Sequence, residues 1–265
     1  KSFGDEWSKF DQSKMPDEEK KKIFKKYFSF FSFDNLNKNS VGFDMGCGTG
    51  RWAYFVASKV GRLHCIDPSD ALNVARINLK KFNNIEFHDS SVDSTNIHEE
   101  SQDFGYSLGV LHHVPDTHEA IKSCSKLLKR GAPLLLYLYY SFDNRPNWFY
   151  LLWKISDLIR QIICRLPPKV KNFVTDLIAL ILYYPFSKLS FFLDKLNINT
   201  SKFPLSFYKD KSFYTMRTDS RDRFGTILEK RFSKLQIKEM MENANLQNIK
   251  FSEQEPFWCV IGYKK

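Results

Sequence analysis

The residues best suited to chemistry begin at Asp44. In Asp44-Met45-Gly46-Cys47-Gly48-Thr49-Gly50 an apolar run reaches an acid and then breaks into glycines at alternate positions. Glycine permits positive φ there and lets a ligand approach the backbone with no Cβ in the way. The amphipathic stretch Trp52 to Lys59 follows, so the pattern reads strand, tight turn, helix. Such a turn aims the first free N–H groups of the helix at whatever binds. Asp44 at the strand end can hold a cation or a hydroxyl. A dinucleotide site wants G-x-G-x-x-G, and here the third glycine comes one residue early. No Gly-Lys-Ser/Thr follows, which excludes a P-loop.

A second acid, Asp67, ends the apolar run Arg62 to Ile66, about one β-α-β unit after Asp44. An acid at that place reaches the ribose hydroxyls of a nucleoside, and Pro68 can lie against its base. The same carboxylate could instead cap the helix predicted over Ser69 to Phe82. Paired acids at successive strand ends favour the nucleoside reading. His112 and His113 form the third cluster, with Asp116 and His118 behind them. Imidazoles there suit a general base, although one of the pair could merely pack or cap the next turn. No zinc-type ligand spacing surrounds them, so no metal is expected. Tyr137, Tyr139, Tyr140, Tyr208, Tyr214, Arg217, Asp219, Asp222 and Arg223 supply polar and aromatic groups for a substrate wall. Tyr140, Tyr214 and Arg217 are the expected contacts. The plainer alternative makes Arg217, Asp219 and Arg223 surface ion pairs of little energetic weight.

These groups need a scaffold, and the hydropathy pattern supplies one. Further strands are predicted at Asn84 to His88, Gln102 to Leu108 and Pro133 to Tyr140. The last is a near-continuous apolar run, as for a central parallel strand. Helices are predicted at Asp17 to Phe33, Thr117 to Leu128 and Phe232 to Ala244, with closing strands at Asn248 to Ser252 and Pro256 to Gly262. From Trp148 to Leu166 apolar residues recur at helical spacing, with Lys154, Asp157, Arg160 and Arg165 off the stripe. Val170 to Tyr184 is apolar most of the way round, Pro185 is expected to interrupt it, and Phe186 to Leu196 continues it. No stretch reaches eighteen apolar residues without a charge, so no transmembrane helix is expected.

Asp44 to Gly50, Asp67 and Leu111-His112-His113-Val114-Pro115-Asp116, in this order and at these intervals, resemble the class I S-adenosylmethionine (SAM) methyltransferases. The similar group includes ubiquinone/menaquinone and natural-product methyltransferases. The resemblance implies an α/β, Rossmann-like seven-stranded, mostly parallel sheet flanked by helices, with a helical insertion after the fifth strand. Residues 40–140 and 230–265 would form the SAM-binding core, 1–39 an N-terminal helical or lid segment, and 141–229 an aromatic-rich insertion over the substrate. Cofactor contacts would come from Asp44, Gly46, Cys47, Gly48, Gly50, Asp67, Pro68 and Leu108. Ser91 and Val92 occupy the place where the family usually carries Asp and a small apolar residue, and Trp7 would close the loop as a lid unless it is a packing clamp. The expected reaction is small-molecule methylation by in-line displacement, leaving S-adenosylhomocysteine. The leaving group is neutral, so no metal is needed. Holding the reactants in line can account for roughly 7–11 kcal/mol, with His112 or His113 as the base.

Composition narrows the partners. A net charge of +10 and a pI near 9.2 suit nucleic acid or an anionic membrane, or reflect a Lys-rich composition alone. Leu108-Gly109-Val110 stands where base-directed amino-methylating enzymes carry Asn/Asp-Pro-Pro-Tyr/Phe. The aromatics lie in apolar stripes and are not interleaved with Lys and Arg. Both observations argue against nucleic acid. An RNA methyltransferase and a non-catalytic SAM-binding protein remain the alternatives to a small-molecule or lipid-like acceptor. The five cysteines show no C-x-x-C and no regular spacing, as in a reducing compartment. With no apolar signal-peptide segment visible, a cytoplasmic location is expected. Residues 147–196 leave room for peripheral membrane contact or a homodimer interface.

Overall fold

The computed structural model describes residues 16–200 and 203–265. Trp7 therefore lies outside the described residues. Parallel strands β1 (Val41–Met45), β2 (Arg62–Ile66), β3 (Ile85–His88), β4 (Phe104–Leu108) and β5 (Pro133–Tyr137) are joined by β6 (Leu246–Phe251) and β7 (Cys259–Lys264). The sheet order is β3-β2-β1-β4-β5-β7-β6, with β7 antiparallel to both neighbours. The chain winds outward from β1 to β3 and then restarts on the other side of β1 at β4. The strand ends of β1 and β4 thus diverge at a topological switch point, where open α/β sheets bind ligands.

Two apolar layers sandwich the sheet. Ile23 and Phe24 of α1 (Asp17–Tyr27), Val56 of α2 (Ala53–Val56) and Leu72 of α3 (Ala71–Asn78) join one core. Ile121 and Cys124 of α4 (Thr117–Leu127) and Ile237 and Met241 of α9 (Lys234–Asn243) join the other. Asp116 caps α4 by accepting from the Glu119 N–H, and Ser233 with Gln236 forms a capping box on α9. Between β1 and β4 the register sets Gly42 beside Phe104 and Phe43 beside Gly105. Each ring lies over its neighbour's glycine, so a Cβ at Gly105 would stand 2.1 Å from the Phe43 ring. These glycines serve close approach, not turning.

The predicted elements all form, with ends that differ. α1 stops at Tyr27, and β5 stops at Tyr137. The chain beyond β5 no longer pairs continuously, and Tyr140 keeps only an isolated bridge to Phe232.

The insertion contains α5 (Asn147–Ile163), α6 (Pro168–Ile178), α7 (Tyr184–Lys195) and α8 (Phe213–Gly225). Pro185 does not interrupt. A π turn, Ala179–Tyr183, leads α6 into α7, and the proline sits in the first turn of α7. A missing N–H costs least at that position. The continuous helix Pro168–Lys195 has 28 residues, and its most apolar window has a mean hydropathy of 1.4. By length and composition it could cross a membrane. Only 22% of its most apolar window is buried. α8 packs against α5 and α6, through Ile163, Met216 and Phe224. Leu158 and Ile162 of α5 and Phe173, Ile181 and Phe192 of the long helix remain exposed.

Candidate active site

The glycine turn is held from below. The Gly46 and Cys47 N–H groups both donate to the Ile66 carbonyl, at 2.8 and 3.0 Å. Gly46, Gly48 and Gly50 all have positive φ. A Cβ at Gly46 would strike Val110 and one at Gly50 would strike Leu79, whereas one at Gly48 would meet nothing within 4 Å. Gly48 thus presents bare backbone to open space. Its N–H donates to Asp67 Oδ2 at 2.8 Å. Asp67 Oδ1 accepts from the Ser69 N–H at 2.9 Å and the Ser69 hydroxyl at 2.5 Å. The acid at the end of β2 both pins the loop and steadies the turn into α3.

Above the turn lies a cavity of about 810 Å³. Of the residues singled out from sequence, Gly46, Cys47, Gly48, Asp67, Pro68, Leu108, His113, Tyr137, Tyr139, Tyr140, Tyr208, Asp219, Asp222 and Arg223 line it. The others are placed elsewhere. Gly50 turns away toward Leu79. Ser91 hydrogen-bonds within its own turn to Asp93 and Ser94, and Val92 packs on the core. Tyr214 packs against the opposite core layer. Arg217 makes a two-point ion pair with Asp176 of α6, at 3.1 and 2.7 Å. The expectation of Tyr214 and Arg217 as cavity contacts is therefore corrected. Thr218, Asp219 and Asp222 of α8 line the cavity in their stead.

Asp44 is fully buried under the loop, and neither carboxylate oxygen has a hydrogen-bond partner. Burial pushes its pKa up to about 8, with Asp67 adding to the rise and Tyr106 and Arg51 offsetting part of it. The folded protein therefore keeps a proton that the unfolded chain releases near pH 4. Folding stability should fall as pH rises from there to about 8. Asp44→Asn should remove that slope, leaving the variant more heat-stable than the wild type at pH 8 but not at pH 4. Matched thermal melts at both pH values check this.

The histidines divide. His112 is fully buried, stacked on Tyr139 with ring centroids 3.8 Å apart, and is not part of the cavity wall. Burial and the neighbouring His113 and Arg231 push its pKa well down, so it stays neutral. His113 reaches the cavity. Its Nδ1 lies 2.6 Å from the Leu228 carbonyl oxygen. A carbonyl only accepts, so Nδ1 carries a proton, and in the neutral ring the lone pair falls to Nε2. His112 is thus withdrawn as a candidate base on steric grounds.

Tyr139, Asp219 and Asp222 line the wall as the sequence suggested, and Arg145 and Arg231 join them unannounced. The Tyr139 hydroxyl donates to Asp222 Oδ2 at 2.5 Å, and burial with the adjacent carboxylate keeps the phenol protonated. Burial also raises Asp219 to about 6, offset by Arg51. Arg231 lies 5.1 Å from the Tyr139 ring centroid and 5.5 Å from that of Trp153. Arg145 pairs with Glu255 at 2.6 Å. Asp219 and Asp222 share one helix face as an i,i+3 pair, which brings both to the wall. Nothing local marked Arg145 or Arg231.

Glycine turn, strand-end acid and seven-stranded sheet together are the features that the resemblance to the class I SAM-dependent methyltransferases implies. Residues 43–136 match the family described as "Methyltransferase domain". Similar curated proteins include the ubiquinone biosynthesis O-methyltransferase of Hydrogenovibrio crunogenus, 31% identical over 118 residues, covering 43% of this chain and 47% of that protein. The protein of the same name from Acinetobacter baylyi is 32% identical over 130 residues, covering 48% and 52%. The match thus spans about half the length of these relatives. Among solved structures, a candidate methyltransferase from Bacillus halodurans shares the fold, with TM-score 0.53 at 14% identity over 86% of this chain and 71% of that one. The residues present fit the cofactor. Gly48 leaves room for close approach, and Asp44 beneath the loop, neutral on its own, could give up its proton to balance a cationic group above it.

Proposed function

We propose that the chain transfers a methyl group from SAM to an oxygen of a lipid-like acceptor. SAM supplies a methyl group already activated on a sulfonium, so its displacement needs no metal. The protein's task is alignment. Gly46, Cys47 and Gly48 with Leu108 would cradle the amino-acid end, with Asp44 below them. Asp67 would turn a free lone pair to the ribose, and Pro68 would face the base. His113 Nε2 would take the proton of the acceptor hydroxyl. Tyr140 and the Tyr139–Asp222 pair would hold the acceptor ring in line.

One observation carries the choice of acceptor. The cavity that starts at the glycine turn is also walled by Leu152, Leu182 and Phe186, and all three are exposed at the surface of the apolar insertion. A hydrophobic acceptor could pass from a bilayer to the loop without crossing water. Lys154, Lys188 and Lys195 lie over aromatic rings of the same helices, as on a face that meets anionic lipid. The name of the similar curated relatives, an O-methyltransferase of ubiquinone biosynthesis, points the same way.

The test is incubation with methyl-deuterated SAM and anionic vesicles carrying a lipid extract. Labelled lipid product in the vesicle fraction is expected. Leu158→Glu with Phe173→Glu should release the protein from vesicles and raise KM for the lipid, leaving SAM affinity unchanged. Methylation confined to water-soluble acceptors or RNA, equal with and without vesicles, would overturn the reading. If the apolar face served a homodimer instead, the double variant would become monomeric and keep its KM.

A further inference from the structure

Away from the cavity, His64, Glu86 and His88 converge on the outer edge of the sheet. β2 and β3 are in register with His64 beside Glu86. Side chains alternate along a strand, so Glu86 and His88 share one face. The His64 Nδ1 to His88 Nε2 distance is 2.9 Å, and His64 Nδ1 lies 3.4 Å from Glu86 Oε2. One donor atom from each residue falls within 4.8 Å of the others. Donors around tetrahedral zinc, each about 2.0–2.1 Å from the ion, stand about 3.3 Å apart. We propose that His64, Glu86 and His88 form a binding site for a divalent transition metal, best suited to Zn²⁺, with the fourth position left to water.

Three features support a site over a chance hydrogen bond between imidazoles. Two imidazoles and one carboxylate are a donor set that zinc takes. Arg62 Nε holds the other carboxylate oxygen, Glu86 Oε1, at 3.2 Å, which turns Oε2 toward His64 as a second-shell partner would. The connection from β3 to β4 carries no helix. His64 is buried, but His88 is half-buried and Glu86 exposed, so an ion has a way in. None of the three lines the cavity. The ion would therefore staple the edge strand β3 to β2 and take no part in methyl transfer.

The probe is Zn²⁺ itself, with Co²⁺ as spectroscopic reporter, on tag-free protein stripped with a chelator. Expected are one Zn²⁺ per chain after dialysis, a rise in Tm on adding it, and intense visible bands of tetrahedral Co²⁺. His64→Gln with His88→Gln should abolish all three, while SAM affinity by calorimetry stays as in the wild type. Should the double variant fold poorly, His88→Gln at the half-buried position is the deciding protein. Failure to retain stoichiometric Zn²⁺, or retention undiminished in these variants, overturns the site. Loss of SAM binding in the wild type would instead count against the proposed function and leave the metal result standing.

Discussion

Asp67→Ala should lower SAM affinity by about 10–100-fold in calorimetry, the scale of one or two hydrogen bonds to a charged group at roughly 1.5–3 kcal/mol each. Two losses combine. The ribose would lose its acceptor, and the Gly48 N–H would lose the oxygen that pins it at 2.8 Å. Asp67→Asn separates them, because its amide oxygen can still accept from Gly48 while the charge is gone. The asparagine variant should therefore fall between wild type and alanine. Both variants should melt within a few degrees of the wild type, since Asp67 anchors a loop and not the core. Affinity unchanged in the alanine variant would remove Asp67 from the cofactor site.

The second large effect is expected at His113. His113→Ala should lower kcat by about 10²–10⁴-fold, the usual share of a general base, with SAM affinity unchanged. A structural role alone would lower activity by the same factor at every pH. A base must be unprotonated to act, so the wild-type rate should fall on the acid side and the variant should lose that limb. His112→Leu is the control. It removes an imidazole buried behind Tyr139, so stability should suffer while the acid limb of the pH profile survives. Equal pH profiles in wild type and His113→Ala would mean that the proton leaves by another route, with the Tyr139–Asp222 pair next in line.

Gly48 and the acids of β1 and β2 were legible because their roles follow from chain-local geometry. A strand, a positive-φ turn and a helix can be read from consecutive residues, and the β-α-β interval then places the second acid at the next strand end. The fold class followed from the family resemblance these motifs carry, and the alternation of strands and helices agrees with it. Other assignments failed for reasons local reading cannot see. Ser91 and Val92 follow β3 as expected, yet their turn bonds to itself. Arg217 and Asp219 are two residues apart on α8, and only the docking of α6 against that helix decides which of them pairs with Asp176 and which lines the cavity. Pro185 marks a break in a linear reading, but a helix accepts proline in its first turn, and the preceding π turn supplies one.

Alone, the amino-acid order determined the cofactor turn, the succession of strands and the apolar character of the insertion. These depend on backbone conformation and residue spacing along the chain. Tertiary structure decided which of two adjacent histidines borders the cavity, that Asp44 is held protonated by burial, and that the cavity wall continues into an exposed apolar face. Each of those depends on desolvation or on contacts between residues far apart in the chain. His113 owes its tautomer to the carbonyl of Leu228, more than a hundred positions away, and no window of neighbouring residues contains both.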